Sequence, residues 1–318
     1  MNKKLYAIGE ALIDFIPQTH NKPIKQVTSF QPAVGGAPAN VCGAFKKLGG
    51  EAEMITQLGN DPFGDKIMDE FDRFGIGTQH VLRTDKANTS LAFVALKEDG
   101  NREFSFFRNP GADMLLEPES IQAEWFEDAY ALHFCSVSLG NFPMKDAHIK
   151  AIEYAKEGGS LISFDPNVRL PLWKSPDELR ERILQFIPKA HILKISDEEL
   201  SFITGHEKIE DALSDLFKGD VELIIYTMGS GGAMAFTKNI SAESKGVKVN
   251  AVDTTGAGDG FIGSMLYQLY EDGVNAGDIE NLKEKDLKRY LDFSNKFCSI
   301  SVMGQGAIAS YPNRVKCL

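Results

Sequence analysis

Short apolar runs rich in β-branched and aromatic residues alternate with amphipathic helical patterns along most of this chain, and that alternation constrains its fold more than any other feature. LYAIG from Leu5, AEMITQLG from Ala52, YALHFC from Tyr130, SLISFD from Ser160, HILKIS from His191 and VELIIYT from Val221 read as buried parallel strands. Between them, Asp61 is a good N-cap, Pro62 fits the first helical position, Phe63, Ile67, Phe71 and Phe74 share one face, and Gly75 ends the pattern. Another helical pattern runs from Met144 through Ala147, Ala151, Ile152 and Ala155 to Gly158. This order predicts an α/β domain, a mostly parallel sheet covered by helices on both faces. With 318 residues, 43% of them hydrophobic, the chain can bury such a core without a staple.

Two regions break the alternation. Residues 11–17 with 27–34, and 89–96 with 102–108, read as strands, the latter pair joined by the turn Glu98-Asp99-Gly100-Asn101. Because no helix separates them, a small antiparallel flap is expected off the main sheet: residues 11–31 and 89–108, against a core of 1–10, 32–88 and 109–318. Such a flap can act as a lid over a ligand crevice, as a plain edge extension, or as a dimer contact.

The formal net charge of -11 disfavours nucleic acid or an anionic membrane as a partner. Cys42, Cys135, Cys298 and Cys317 form no close-spaced pair, which suits reduced thiols, and the six histidines offer no zinc-type spacing. The first apolar run is too short for a signal-peptide core and no stretch approaches the roughly 18 apolar residues of a membrane span, so a cytoplasmic protein is expected.

The chemistry concentrates in three glycine-rich elements. In Asp253-Thr254-Thr255-Gly256-Ala257-Gly258-Asp259-Gly260, ahead of an apolar helix, the glycines let backbone N–H groups converge at a helix start, which is a phosphate cradle. A carboxylate there is repulsive unless a metal or a proton transfer needs it, so Asp259 suits a base that accepts a hydroxyl proton while the amides hold a transferring phosphoryl group. The plainer alternative is a turn whose acid satisfies the helix dipole. The second element, Val34-Gly35-Gly36-Ala37-Pro38-Ala39-Asn40-Val41, precedes a helix with Val41, Ala44, Phe45 and Leu48 facing inward. There Asn40 offers a donor and acceptors for sugar hydroxyls, or the segment is simply a capped loop. The third, Tyr226 to Gly232, follows an apolar strand, where nucleotides meet open α/β sheets.

Together and in this order, these elements resemble the ribokinase-like (PfkB) carbohydrate kinase family, with VGGAPANVCGAFKKLGG at 34–50 and DTTGAGDGFIGS at 253–264 as its two signatures. Gly9-Glu10-Ala11-Leu12-Ile13-Asp14-Phe15, Asp165-Pro166-Asn167-Val168-Arg169 and Lys194-Ile195-Ser196-Asp197-Glu198-Glu199 are similar to its bacterial fructokinase branch. The resemblance implies a three-layer α/β/α core with a β lid often used in dimerisation, and an ATP-dependent phosphotransferase needing Mg²⁺, in many members with K⁺. It implies Asp259 as catalytic base, the amides of Gly256, Ala257 and Gly258 as anion hole, and Arg169 near the transferring phosphate or the sugar. Asp14, Gly35, Gly36 and Asn40 would hold sugar hydroxyls, with Phe106 and Arg108 as further sugar contacts. Thr227, Gly229 and Gly232 would line the nucleotide phosphates with Lys194 nearby, and Asn295 would lie near the adenine.

A monovalent cation would sit among Asp253, Thr255, Ser301, Gly304, Gly306 and Ser310. One departure concerns the family's Asn-x-x-Glu motif, which here reads Ser196-Asp197-Glu198-Glu199. Glu199 is then either a Mg²⁺-handling residue acting through water or half of a capping box. The reaction expected is D-fructose and ATP to fructose 6-phosphate and ADP. The alternatives are a relative acting on ribose, 2-keto-3-deoxygluconate or a nucleoside, or a non-catalytic sugar or nucleotide sensor. A dehydrogenase is disfavoured, since no G-x-G-x-x-G follows the first strand.

Overall fold

The computed structural model describes residues 3–18, 22–96 and 102–317; the turn expected at Glu98 to Asn101 lies outside them. The first half of the chain forms β1 (Lys4–Ile8), β2 (Leu12–Pro17), β3 (Phe30–Gly35), α1 (Ala37–Leu48), β4 (Ala52–Gly59), α2 (Pro62–Phe74), β5 (Gly77–Thr84), β6 (Leu91–Leu96), β7 (Arg102–Phe107), β8 (Ala129–Cys135) and α3 (Pro143–Glu157). Then come β9 (Leu161–Asp165), α4 (Pro176–Phe186), β10 (Ile192–Ser196), α5 (Asp197–Thr204), α6 (Ile209–Leu216), β11 (Leu223–Thr227), β12 (Gly232–Phe236), β13 (Ser241–Lys245), α7 (Ala257–Glu271) and α8 (Glu284–Ser301).

Among the described residues the strands form a nine-stranded sheet in the order β13-β12-β11-β10-β9-β8-β1-β4-β5 and a four-stranded sheet in the order β3-β2-β6-β7. In the large sheet β5 through β11 run parallel, and β12 and β13 close one edge antiparallel. Its central strands are continuously apolar because alternate residues enter two different cores. In β1, Leu5 and Ala7 join a cluster with Val41 and Phe45 of α1 and Ile262 and Met265 of α7, while Tyr6 and Ile8 join one with Met144 and Ala147 of α3 and Ile183 of α4. Each fully buried side chain of this size contributes about 1.5–3 kcal/mol. The result is the expected three-layer α/β/α architecture. The edge strands β5 and β13 escape notice in the sequence because half-exposed positions dilute or alternate their apolar residues.

The small sheet differs from the expected antiparallel flap: β2 and β3 pair antiparallel, as do β6 and β7, but β2 and β6 run parallel. β2 follows β1 and β6 follows β5, two strands of the large sheet that run in the same direction. β3 also continues through Gly35, opposite Leu12, past the expected boundary at residue 31. Phe15, Phe30 and Phe93 pack on one face of this sheet, with Phe15 stacked on Phe93 at 4.6 Å and meeting Phe63 of α2 edge-on at 5.7 Å.

Asp61 caps α2 as expected, its Oδ1 accepting the N–H groups of Phe63 at 3.0 Å and Gly64 at 2.9 Å. Its Oδ2 also accepts from Thr89 N at 2.7 Å, just before β6. Asp61→Ala removes the cap and this tie together and is expected to cost about 1–2 kcal/mol. Urea unfolding should show a lowered midpoint at unchanged slope, and an unmoved midpoint would contradict the assignment.

Candidate active site

Two helix starts meet beside the C-terminal end of β9 and Lys194 of β10. α1 begins after Gly36, whose φ of 118° and the Glu10 carbonyl, 2.4 Å from where a Cβ would stand, leave no room for a side chain. α7 begins after Gly256 at φ 74°, where a Cβ would come within 2.4 Å of Ala307, and the Tyr311 hydroxyl donates to the Gly256 carbonyl at 2.7 Å. Asn40 lies in the first turn of α1 and Asp259 in the first turn of α7, and the two helices pack together. Asn40 Nδ2 donates to Asp259 Oδ2 at 2.9 Å, and Asn167 Nδ2 lies 3.4 Å from Asp259 Oδ1. The Asn40 Oδ1 acceptor is buried and records no hydrogen-bond partner among the described residues.

Burial lifts the Asp259 carboxyl to about 6; the Asn40 hydrogen bond opposes the rise, Asp165 adds to it, and Lys194 and Arg169 pull it down. Asp259 is therefore more basic than a free aspartate, yet mostly ionised at neutral pH. Lys194, on β10, donates to Asp165 Oδ2 at 2.8 Å. Burial disfavours its charge, but Asp165 and Glu199 outweigh that and hold the ammonium protonated. Its Nζ lies 3.1 Å from where a Cβ on Gly258 would stand, so a fixed positive charge backs the start of α7. The Ala257 N–H donates back to the Thr254 carbonyl at 3.2 Å. Of the three amides expected to form an anion hole, those of Gly256 and Gly258 are the ones for which no intramolecular acceptor is recorded among the described residues.

Asp165 and Asn167, which sequence reasoning left without a role, complete this group. Asp165 ends β9, its Oδ1 accepts from Asn167 N at 3.1 Å, and Asn167 takes φ 48°, a left-handed conformation that asparagine tolerates better than most residues. The signal available in the sequence was Asp-Pro-Asn directly after an apolar strand. Glu199 accepts from Val168 N at 2.7 Å with one oxygen and from Ser196 N at 3.0 Å with the other, so it both caps α5 and pins the loop carrying Asn167. Arg169 is exposed, with NH1 on the Val168 carbonyl at 2.9 Å.

On the small sheet, Asp14 reaches over Gly35, its Oδ2 standing 2.0 Å from the point a Cβ there would occupy. Phe106 shares its row and face through Ala92. Arg108 is buried and bonded to protein groups at Asp113, Ser138 and Val137. Thr227 ends β11 beside Ser196, and Gly229 and Gly232 follow in the turn into β12. Asn295 Nδ2 donates to Ser244 Oγ at 2.8 Å and O at 3.1 Å, which fastens α8 to β13. The expected cation positions converge: Asp253 Oδ1 accepts from Thr255 N at 2.9 Å and Oγ1 at 2.6 Å, Oδ2 accepts from Gly306 N at 2.9 Å, and the Ser301 and Ser310 hydroxyls lie 2.8 Å apart. Gly304 N donates to the Ser301 carbonyl at 2.9 Å in the same loop. The side-chain oxygens here, of Asp253, Thr255, Ser301 and Ser310, are of the type a hard cation takes.

A family model described as pfkB family carbohydrate kinase matches residues 2–314. The chain is 40% identical over 315 residues to the protein named "Probable fructokinase-3" from Arabidopsis thaliana, covering 99% of this chain and 90% of that protein. The fructokinase from Xylella fastidiosa with bound ATP superposes with a TM-score of 0.91 at 31% identity, over 100% of this chain and 97% of that one. A double mutant of the fructokinase from Vibrio cholerae O395, in a fructose, ADP and potassium ion bound form, superposes with a TM-score of 0.87 at 32% identity, over 99% and 97% of the two chains.

A base must be ionised to accept a proton. With the Asp259 carboxyl near 6, kcat/KM should rise about tenfold per pH unit on the acid side and level off above about pH 7. A profile already flat down to about pH 4 would contradict the role.

Proposed function

The chain belongs to the pfkB family of carbohydrate kinases and is an ATP-dependent sugar phosphotransferase, and from that premise we propose that it phosphorylates D-fructose to fructose 6-phosphate with Asp259 as general base. The observation that carries the residue assignment is the Asn40–Asp259 hydrogen bond, which brings the glycine-rich start of one helix against that of the other. The attacking sugar hydroxyl gives its proton to an Asp259 oxygen that Asn40 and Asn167 hold in place. The orphaned Asn40 Oδ1, Asp14 and the backbone at Gly35 and Gly36 orient the sugar, with Phe106 on the same sheet face as Asp14.

Negative charge on the transferring phosphoryl group faces the Gly256 and Gly258 amides, the start of α7 and Lys194, with Arg169 at the mouth. Thr227, Gly229 and Gly232 line the nucleotide phosphates at the strand end, and Asn295 shapes the base's pocket through β13. Mg²⁺ bound with ATP supplies charge neutralisation on the triphosphate. Glu199, whose two oxygens both accept backbone N–H groups, would reach it only through water. Asp253, Thr255, Ser301, Gly304, Gly306 and Ser310 would hold K⁺, which would supply positive charge to help offset that of the phosphoryl group.

The four-stranded sheet acts as a lid that excludes water and limits ATP hydrolysis. A contact with a second copy of the chain would lie on this lid, where Phe107 is 63% exposed. Among the described residues no helix is long and apolar enough to cross a membrane.

Asp259→Asn should keep sugar and ATP binding in calorimetry but lose roughly 100-fold or more in kcat, about 2.7 kcal/mol of barrier. Turnover near the wild-type rate would reject the base. An ADP-release assay with Mg·ATP over a panel of sugars and nucleosides should respond most strongly to fructose, and a response confined to ribose or a nucleoside would reject that substrate while leaving the kinase.

A further inference from the structure

The chain crosses between the two sheets four times: into β2 near residue 10, out of β3 at residue 36, into β6 at residue 90 and out of β7 at residue 108. A single buried polar cluster holds a group from each crossing. The Glu10 carboxylate accepts the Ala37 N–H at 3.3 Å with Oε1 and the Ser138 hydroxyl at 3.0 Å with Oε2. Ser138 Oγ in turn accepts from Arg108 NH2 at 3.1 Å. The Arg108 fork closes on Asp113 Oδ2 through Nε at 2.9 Å and through NH2, while its NH1 donates to the Val137 carbonyl at 3.3 Å. The other Asp113 oxygen accepts the Ser90 hydroxyl. Both roots of the β6–β7 hairpin are thus tied to one carboxylate, and that carboxylate is tied through Arg108, Ser138 and Glu10 to the first residue of α1, one turn before Asn40.

Burying two carboxylates and a guanidinium is costly, and well-packed apolar side chains of the same volume would hold a static joint at least as well. The polar solution is explicable where directional bonds must fix one relative pose of several segments. Arg108 commits four of its five N–H donors inside the cluster, which leaves little for a ligand. We propose that Glu10, Ser90, Arg108, Asp113 and Ser138 form the joint that couples the lid sheet to the first turn of α1, so that lid closure over the sugar and the orientation of Asn40 toward Asp259 occur as one event. The inference rests on the sugar kinase reading of the same site and makes Arg108 a positioning residue.

Ser138→Ala is the most selective test, because it removes the hydroxyl between the Glu10 and Arg108 halves and leaves the Arg108–Asp113 pair intact. Arg108→Lys keeps the charge but loses the fork. Both variants should lower kcat/KM for fructose about tenfold while KM for ATP stays within about twofold, since a hydrogen bond to a charged group is lost remote from the nucleotide. Hydrogen exchange of β6 and β7 peptides should show protection on adding fructose with a non-hydrolysable ATP analogue in the wild type, and markedly less in the variants. A lowered Tm with unchanged sugar kcat/KM and unchanged protection would overturn the joint and leave a merely structural cluster. If Arg108→Lys fails to fold, Ser138→Ala alone decides. A wild type that uses another sugar is measured on that sugar, and a wild type that phosphorylates none overturns the kinase reading together with this inference.

Discussion

A single hydrogen bond between two helix starts, Asn40 to Asp259 at 2.9 Å, is the contact on which the site's geometry depends. The residues it joins are 219 positions apart in the chain, and each helix carries its own glycine-rich approach. The large sheet makes the meeting possible. α1 and α7 pack on the same face, and residues of β1, β4, β8, β9, β10 and β11 point into the core beneath them. Without that layer the two glycine-rich helix starts would be separate turns with no shared chemistry.

The charges arranged around this contact pull against each other. Burial and Asp165 make Asp259 a stronger base than a free aspartate, and Lys194 and Arg169 keep it from becoming neutral. Lys194 serves Asp165 and the α7 start at once, so one buried cation balances the neighbour of Asp259 and backs the amides proposed to face the phosphoryl group. A site that had to bind only sugar or only nucleotide would not need a buried carboxylate and open backbone amides within one helical turn.

Much of this was legible in the sequence. The central strands could be read because burial on both faces leaves unbroken apolar runs, and Asp61, Pro62 and Gly75 mark α2 with local chemistry alone. The edge strands β5 and β13 could not, since a half-exposed strand has no such run. Both glycine-rich signatures were legible because backbone constraints confine them to a few residue types. The support around them was not: Asn167 acts on a residue 92 positions away, and Arg108 looks like a ligand contact until its donors are traced to Asp113, Ser138 and Val137. The Ser196-x-x-Glu199 spacing fits either a cap or a metal site, and the distances show the cap together with a clamp on Val168 that no local pattern encodes.

The most direct measurement is a crystal structure of the protein with fructose, ADP, Mg²⁺ and aluminium fluoride, which mimics the phosphoryl group in flight. The account requires one sugar hydroxyl within about 3 Å of an Asp259 oxygen, in line with the aluminium, and fluorides facing the amides that open α7. An aluminium fluoride group bound away from that helix start, or a hydroxyl approaching it from a side where Asp259 cannot reach, would contradict the account.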